Sequence, residues 1–232
     1  MFTKFTGGFV IGSCKSYDNY LLHLSEKLEI SVVSVEYRLA PEHLYPAAHN
    51  DAVDVARFAL TPKGQSQLGG PLRILAGESA GGYLATWVAM ELRRDADSGS
   101  KISGLVASYP IYDLTYTPSC LSHTREAVLS SQGMKAFVDT EFRNVPPERR
   151  RDPHLSLLYA DLKDLPPALF LCGTEDPLVD DSAFMASRWS LAGNDAELCL
   201  VPGAWHAFTL IPAGEVTDEG LAEIVSFCKK VL

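Results

Sequence analysis

The chain has 232 residues, of which 47% are hydrophobic and 21% charged, and its formal net charge is −9. This length and composition predict one globular domain with a sizeable core, and they exclude a disordered chain. An acidic protein repels phosphate backbones and anionic lipids, so the charge argues against nucleic-acid binding.

The cysteines and the hydropathy pattern indicate where the protein works. Its five cysteines are odd in number and none forms a CxxC pair, which predicts free thiols rather than a disulfide framework. The first residues, MFTKFTGGFVIGS, lack the basic start and the long apolar run of a secretory signal. No apolar stretch of the sequence is long enough to span a bilayer. We therefore expect a cytoplasmic protein without stable membrane insertion.

Short apolar runs alternate with segments of helical periodicity along the chain. The predicted strands are Ile30–Glu36, Leu72–Ala76, Ile102–Tyr109, Ala168–Cys172 and Ala196–Val201. The predicted helices are Ser16–Leu28, Ala47–Leu60, Ala80–Arg94, Asp180–Ala192 and Glu215–Val231. The strand runs are continuous rather than alternating, which predicts burial on both faces. This alternation predicts parallel strands joined by crossover helices, and hence a doubly wound, mostly parallel α/β sheet.

Residues 113–165 interrupt the alternation, because they contain no clear strand and are broken by glycine and proline. A long insertion after a strand is usually functional and often forms a lid. A merely tolerated surface excursion fits the same pattern equally well. The arginines at 149–151 are expected to form a solvated helix end rather than an anion site. We predict a single domain over residues 1–232, with a helical lid insertion at about 113–165.

The segment 77–82, with the sequence GESAGG, lies between a predicted strand and the helix predicted from Ala80. A GxSxG pattern at such a turn places Ser79 on a sharp elbow. The elbow aims the serine at the helix N-terminus, where unpaired N–H groups can stabilise an oxyanion. Small residues crowd many strand–helix turns, so the pattern alone leaves a purely structural role equally open.

A serine hydroxyl becomes a good nucleophile only beside a base that a third group orients. In this kind of fold the acid and then the histidine follow the serine, each after a later strand. Asp176 follows the fourth predicted strand, and His206 follows the fifth. Order and placement therefore predict Ser79 as nucleophile, Asp176 as acid and His206 as base. Two alternatives stay open: Asp176 only caps the next helix, or the acid is Asp180 or Asp181.

Other histidines compete with His206 for the role of base. They are His23, His43, His49, His123 and His154. His23 and His49 lie on helical patterns and are expected at the surface. Only His206 follows the last strand and is flanked by small and aromatic residues.

Several motifs resemble the hormone-sensitive-lipase-like esterases, a family of α/β hydrolases. They are FVIGS at 9–13, YRLAPEH at 37–43, PAA at 46–48, GESAGG at 77–82, DPHLS at 152–156, LPPA at 165–168, GTEDPL at 173–178 and WHAF at 205–208. The resemblance covers nearly the whole chain. It implies an α/β-hydrolase fold, hydrolysis of carboxylic esters through an acyl-enzyme, no metal or organic cofactor, and a lid over an apolar acyl pocket.

The resemblance also assigns roles residue by residue. The family's nucleophile, acid and base match, in that order, Ser79, Asp176 and His206. Its oxyanion donors are backbone N–H groups of a His-Gly-Gly-Gly loop and of the residue after the serine, and they match Gly7, Gly8 and Ala80. The block at residues 37–43 is structural in the family and is not expected to be catalytic.

The chain departs from the family pattern at two places. Where the family has His-Gly-Gly-Gly, this chain has Phe5-Thr6-Gly7-Gly8, which keeps the donor glycines without the histidine that anchors the loop. Only residues 1–4 precede this loop, where the family has a substantial segment that includes most of a central strand. We therefore expect the neighbouring strands to lose a partner and the enzyme to be slow, or inactive with ligand binding retained.

The leading hypothesis is a serine carboxylesterase acting on small-molecule esters with small to medium acyl groups. Amide or formamide hydrolysis by the same residues stays open, because leaving-group preference depends on the insertion. A ligand-binding protein is the alternative from another class, since plant hormone receptors that resemble this family have lost the catalytic histidine. The presence of His206 argues against that alternative. The sequence leaves open whether the chain forms a homo-oligomer.

Overall fold

The computed structural model describes residues 1–5, 8–95, 101–125, 128–212 and 214–232, and a parallel β-sheet lies at its centre. The strands are β1 (Phe2–Phe5), β2 (Val32–Val35), β3 (Ile74–Glu78), β4 (Gly104–Ser108), β5 (Ala168–Gly173) and β6 (Ala196–Val201). Within the described residues they form a six-stranded sheet in the order β2-β1-β3-β4-β5-β6. Every adjacent pair in this order is parallel. The predicted α/β class and parallel sheet are confirmed.

Helices pack on both faces of this sheet. They are α1 (Asp18–Leu28), α2 (Ala47–Leu60), α3 (Pro62–Leu68), α4 (Ala80–Arg93), α5 (Pro118–Ser122), α6 (Ser131–Glu141), α7 (Val179–Leu191) and α8 (Glu215–Val231). Successive strand residues point to opposite faces. Leu75 and Phe170 therefore share a core with α2, α4 and α7, while Ile74 and Leu171 share one with α1 and α8. Among the described helices, none is both long and apolar enough to cross a membrane.

The predicted helices and strands all lie within two residues of their predicted bounds. The expectation that every predicted strand is buried on both faces is wrong for β2 and β6, because these two strands are the edges of the sheet. In β6, Leu198 and Leu200 are exposed. Outside the insertion at 113–165, one described helix, α3, is not among the predicted helices, because its sequence PKGQSQL has no apolar periodicity. It is held by capping, since the Thr61 hydroxyl accepts a hydrogen bond from the Gly64 N–H at 3.0 Å.

The expectation that the strands on either side of the shortened segment lose a partner is wrong over residues 2–5. These four residues form β1, which pairs in parallel with β2 on one side and with β3 on the other. A short strand suffices because β2 itself spans only four residues. The backbone of Met1 extends the contact, since its carbonyl accepts from the Arg73 N–H at 3.0 Å. The sheet is therefore continuous from β2 through β1 to β3.

Residues 113–165 lie between β4 and β5, and their described part contains α5, α6 and two short 3-10 helices but no strand. This insertion is fastened to the rest of the molecule by hydrogen bonds. The Tyr83 hydroxyl on α4 donates to the Leu155 carbonyl at 2.9 Å. The Arg93 guanidinium, at the end of α4, donates to the Asp161 carbonyl at 3.0 Å. The insertion thus sits over the helix that follows the predicted nucleophile.

Candidate active site

Ser79 lies on a strained turn between β3 and α4. Its φ of +56° and ψ of −120° form a conformation that a residue with a side chain rarely adopts. The turn is so tight that a Cβ on Gly77 would lie 2.2 Å from the carbonyl carbon of Gly81. The Ser79 N–H donates to the Ser108 carbonyl on β4 at 2.9 Å, which fixes the turn to the sheet. The elbow predicted from GESAGG is therefore present.

The structure brings together the three side chains that the sequence predicts. Nε2 of His206 lies 3.0 Å from Oγ of Ser79, and Nδ1 of His206 lies 2.9 Å from Oδ2 of Asp176. They come from turns that follow β3, β5 and β6, and those carboxyl ends meet at one edge of a parallel sheet. Asp176 and His206 are buried. With Nδ1–H donating to the carboxylate, Nε2 is free to accept the serine proton.

Asp176 both orients His206 and caps the following chain. Its Oδ1 accepts from the Leu178 N–H at 2.8 Å, while Oδ2 contacts His206. The capping role considered for this residue is thus real, and it coexists with the contact to the imidazole. Two acceptor sites on one carboxylate serve two donors.

The alternative acids lie elsewhere. Asp181 is buried and accepts from the Tyr112 and Asp113 N–H groups at 2.6 and 2.9 Å and from the Thr117 hydroxyl at 2.6 Å. Burial raises the pKa of Asp181 to about 7. Asp180 accepts from the Ser119 N–H at 2.7 Å. Both carboxyls therefore tie the insertion to α7, and Asp176 is the acid that contacts His206.

Tyr109 is a neighbour of the histidine that sequence reasoning missed. Its ring meets the His206 imidazole edge to face, with centroids 5.0 Å apart. Its hydroxyl lies 2.5 Å from Oγ1 of Thr209. Burial raises the pKa of Tyr109 well above its ordinary value, so the phenol stays neutral. The available signal was its position directly after a strand that neighbours the serine strand.

Two of the predicted oxyanion donors, Ala80 and Gly8, follow β3 and β1, which are neighbouring parallel strands. Ala80 is the first residue of α4, where backbone N–H groups have no partner within the helix. Gly8 has a φ of +112°, and a Cβ there would lie 2.8 Å from Cγ1 of Ile11, so the position requires glycine. Gly7 and Thr6 lie outside the described residues.

The residue after Gly8 anchors this loop in the core. Phe9 is 2% exposed and has a φ of +57°. Its ring packs edge to face on Tyr83 and on Phe142, with centroids 5.7 and 5.8 Å apart. It also stacks on His49 at 6.1 Å with an interplanar angle of 6°. The expectation that His49 lies at the surface is therefore wrong, because its side chain is fully buried. The helical pattern alone could not show that aromatic residues from other segments cover it.

A buried ion pair lies beneath the elbow. Nζ of Lys4 on β1 is 3.2 Å from Oε2 of Glu78, the residue before the serine, and their side chains are 0% and 2% exposed. The ammonium also lies over the rings of Tyr17 and Tyr20, 4.9 and 4.7 Å from their centroids. No pattern in the sequence indicates this pair, because Lys4 and Glu78 are far apart along the chain and only the pairing of β1 with β3 brings them together.

Comparison with known proteins places the chain in a family. The profile of the family described as alpha/beta hydrolase fold matches residues 5–210. An ethyl acetate hydrolase from Pseudomonas putida is 30% identical over 223 residues, which are 94% of this chain and 69% of that enzyme.

Solved structures agree with this placement. A hyperthermophilic esterase from the archaeon Pyrobaculum calidifontis has a TM-score of 0.90 and 32% identity, covering 99% of this chain and 74% of that one. A hormone-sensitive lipase from a metagenome library has a TM-score of 0.86 and 29% identity, covering 100% of this chain and 78% of that one. The chain therefore belongs to the α/β-hydrolase-fold family, and within it to the hormone-sensitive-lipase-like esterases. It is a carboxylic ester hydrolase.

Proposed function

We propose that the chain hydrolyses carboxylic esters with small to medium acyl groups through an acyl-enzyme on Ser79. The observation that carries the proposal is the position of His206, whose two ring nitrogens contact the hydroxyl of Ser79 and the carboxylate of Asp176. A base within hydrogen-bond reach of the nucleophile, itself held by a third group, is what activation of a serine requires.

The first half-reaction transfers the acyl group to the serine. Oγ of Ser79 attacks the ester carbonyl as His206 takes its proton at Nε2, and the carbonyl oxygen becomes an oxyanion. Backbone N–H groups of Gly7, Gly8 and Ala80 are proposed to stabilise that oxyanion. The tetrahedral intermediate collapses, the bond to the alcohol oxygen breaks, and His206 returns the proton to the leaving alcohol.

The second half-reaction releases the acid. Water gives its proton to Nε2 of His206 and attacks the acyl carbonyl, and the second tetrahedral intermediate expels Oγ of Ser79 as His206 reprotonates it. Asp176 keeps the imidazole in the tautomer with Nδ1 protonated and stabilises the imidazolium formed in each step. The chemistry needs only these side chains, the backbone donors and water.

Residues 113–165 are proposed to act as the lid that sets acyl preference. Their position over α4, through the Tyr83 and Arg93 contacts, supports this role. The same proposal treats residues 1–232 as a single domain that carries this lid as an insertion. A lid that closes over the acyl chain excludes water and orients the carbonyl, so the length of chain it covers limits the substrate range.

The test combines a covalent probe with turnover. A fluorophosphonate should phosphonylate Oγ of Ser79 with loss of fluoride, and p-nitrophenyl esters of graded acyl length should give burst kinetics with a maximum at short to medium chains. Ser79→Ala should abolish both signals, whereas Ser190→Ala, which changes an exposed serine on α7, should change neither. Labelling that survives in Ser79→Ala refutes the assignment. Faster turnover of matched amides than of esters would favour the amidase alternative.

A further inference from the structure

His49 on α2 is the centre of a buried cluster outside the proposed catalytic side chains. Its ring lies 4.7 Å from that of Tyr45, 5.3 Å from that of Tyr83 and 4.9 Å from that of Trp87, measured between centroids, and it stacks on Phe9. The imidazole is fully buried. A polar ring enclosed by aromatic side chains is costly unless its nitrogens are satisfied.

The two nitrogens face different elements. Nε2 lies 3.3 Å from the hydroxyl of Tyr83, which in turn donates to the Leu155 carbonyl in the insertion. Nδ1 lies 3.9 Å from Oε1 of Glu141, the last residue of α6. Glu141 is also fully buried, and among the described residues neither of its carboxyl oxygens has a hydrogen-bond partner. The gap to Nδ1 is about 1 Å beyond hydrogen-bond distance.

Burial keeps this pair neutral. It lowers the pKa of His49 to about 3 and raises the pKa of Glu141 to about 8. At neutral pH the pair is therefore an imidazole and a carboxylic acid. The carboxyl group of Glu141 faces Nδ1 across 3.9 Å, without a hydrogen bond between them. Nε2–H donates to the hydroxyl oxygen of Tyr83, and the Tyr83 hydroxyl donates to the Leu155 carbonyl. Each donor in this hydrogen-bonded series therefore has one acceptor.

The residues that contact His49 belong to the segments that form the proposed active site. Phe9 directly follows the donor glycine Gly8. Tyr83 lies one turn into α4, and its N–H donates to the Ser79 carbonyl at 3.2 Å. Glu141 and Phe142 end the helix of the insertion. His49 thus touches the oxyanion loop, the nucleophile helix and the insertion at once.

We propose that His49 is a positioning residue that holds the oxyanion loop through Phe9, and that Glu141 links this hold to the insertion. The inference rests on the proposed function, because it concerns donors that act in the proposed transition state. Ionisation of Glu141 leaves a buried carboxylate, for which the described residues supply no cation, facing the acceptor Nδ1, and this disturbs the hydrogen bonds of the imidazole. The loop donors then lose alignment, which affects kcat more than KM.

In the part of the chain that the structure describes, the other titratable groups that face the pair do not change charge near pH 8. They are the phenols of Tyr37, Tyr45 and Tyr83, from the segment after β2, from the segment before α2 and from α4. Burial raises the pKa of all three above the ordinary value. A change in kcat near pH 8 that depends on residue 141 therefore reports on Glu141 itself.

The experiment measures kcat and KM for a p-nitrophenyl ester from pH 6 to 10 in the full chain and three variants. Glu141→Gln keeps an N–H donor toward Nδ1, so kcat at pH 7 should stay within about twofold and the decline above pH 8 should disappear. Asp139→Asn, which neutralises an exposed carboxylate on the same helix, should keep the decline. His49→Phe fills the space without either nitrogen and should lower kcat about tenfold or more, with KM within about twofold.

The proposal is overturned if the unchanged chain shows no decline above pH 8, if Glu141→Gln retains that decline, or if His49→Phe keeps full kcat. Circular dichroism and the urea midpoint show whether each variant is folded, and if His49→Phe is not folded the isosteric Glu141→Gln alone decides. Ser79→Ala is measured in parallel. Activity that survives in Ser79→Ala refutes the proposed function, whereas Ser79-dependent activity with unchanged pH profiles refutes only the role of His49 and Glu141.

Discussion

Removal of the Lys4 ammonium should be among the most destabilising single changes in the protein. Nζ lies 3.2 Å from Oε2 of Glu78, and both side chains are excluded from solvent. At an effective dielectric constant of 20, two charges at this distance attract by about 5 kcal/mol. Lys4→Met keeps the length of the side chain but leaves the carboxylate buried without its cation, which costs about 3–5 kcal/mol. That cost is a large share of the stability of an ordinary domain.

The assay is equilibrium unfolding in urea, compared among Lys4→Met, Glu78→Gln and the double variant. Each single change leaves one buried charge without its counter-charge, whereas Lys4→Met combined with Glu78→Gln removes both charges and should recover most of the loss. The control Lys15→Met removes a lysine from the loop after β1 and should change the free energy of unfolding by less than about 0.5 kcal/mol. A loss below about 1 kcal/mol in Lys4→Met, or strictly additive losses in the double variant, would refute the argument.

Three further predictions concern activity and pH. Ser79→Ala, His206→Ala and their combination should each lose about 10⁴-fold or more in kcat, because the residues act as a unit; additive losses would contradict this. Gly8→Ala introduces a Cβ where φ is +112° and should lower kcat about 10²-fold, measured in a variant that circular dichroism shows to be folded. The pKa of Glu141 is raised from 4.5 to about 8, so its contribution to stability is full below pH 4.5 and is lost toward pH 8. The difference in the free energy of unfolding between Glu141→Gln and the unchanged chain, measured in urea, should therefore shift in favour of the variant by about 1.4 kcal/mol for each pH unit of increase in that interval.

Most of the architecture is predictable from the sequence because the spacing of apolar residues differs between buried strands and helices. Parallel strands that are buried on both faces appear as continuous apolar runs, and the crossover helices carry a 3.6-residue period. The elbow at Ser79 was predictable because two constraints coincide there, a glycine-bounded turn and a strand-to-helix position. β1 was missed because it is short and carries Lys4, a residue that looks wrong for a central strand until its buried partner Glu78 is known.

The rest depends on contacts between residues far apart in the sequence. His49 was expected at the surface because its helix has a polar face, but Phe9, Tyr83 and Phe142 arrive from three other elements and cover it. No pattern within α2 carries that information. Tyr109 was missed for the same reason, since its contact with the His206 ring depends on how the loop after β6 packs against the end of β4.

The expectation of slow turnover depended on two losses, a central strand and an anchoring side chain in the oxyanion loop. The strand is present over residues 2–5 and pairs on both sides, so the first reason no longer stands. The second concerns the position of Phe5, which lies in the core where the family has histidine. The loop is instead held from its other end, where Phe9 is enclosed by aromatic rings and its carbonyl accepts from the Ala40 N–H at 3.0 Å. Slow turnover stays a prediction, and its remaining basis is the pair Phe5 and Thr6 before the donor glycines. Because an anchor after Gly8 can align its N–H without the missing histidine, the rate of this enzyme measures how well Phe9 replaces that side chain.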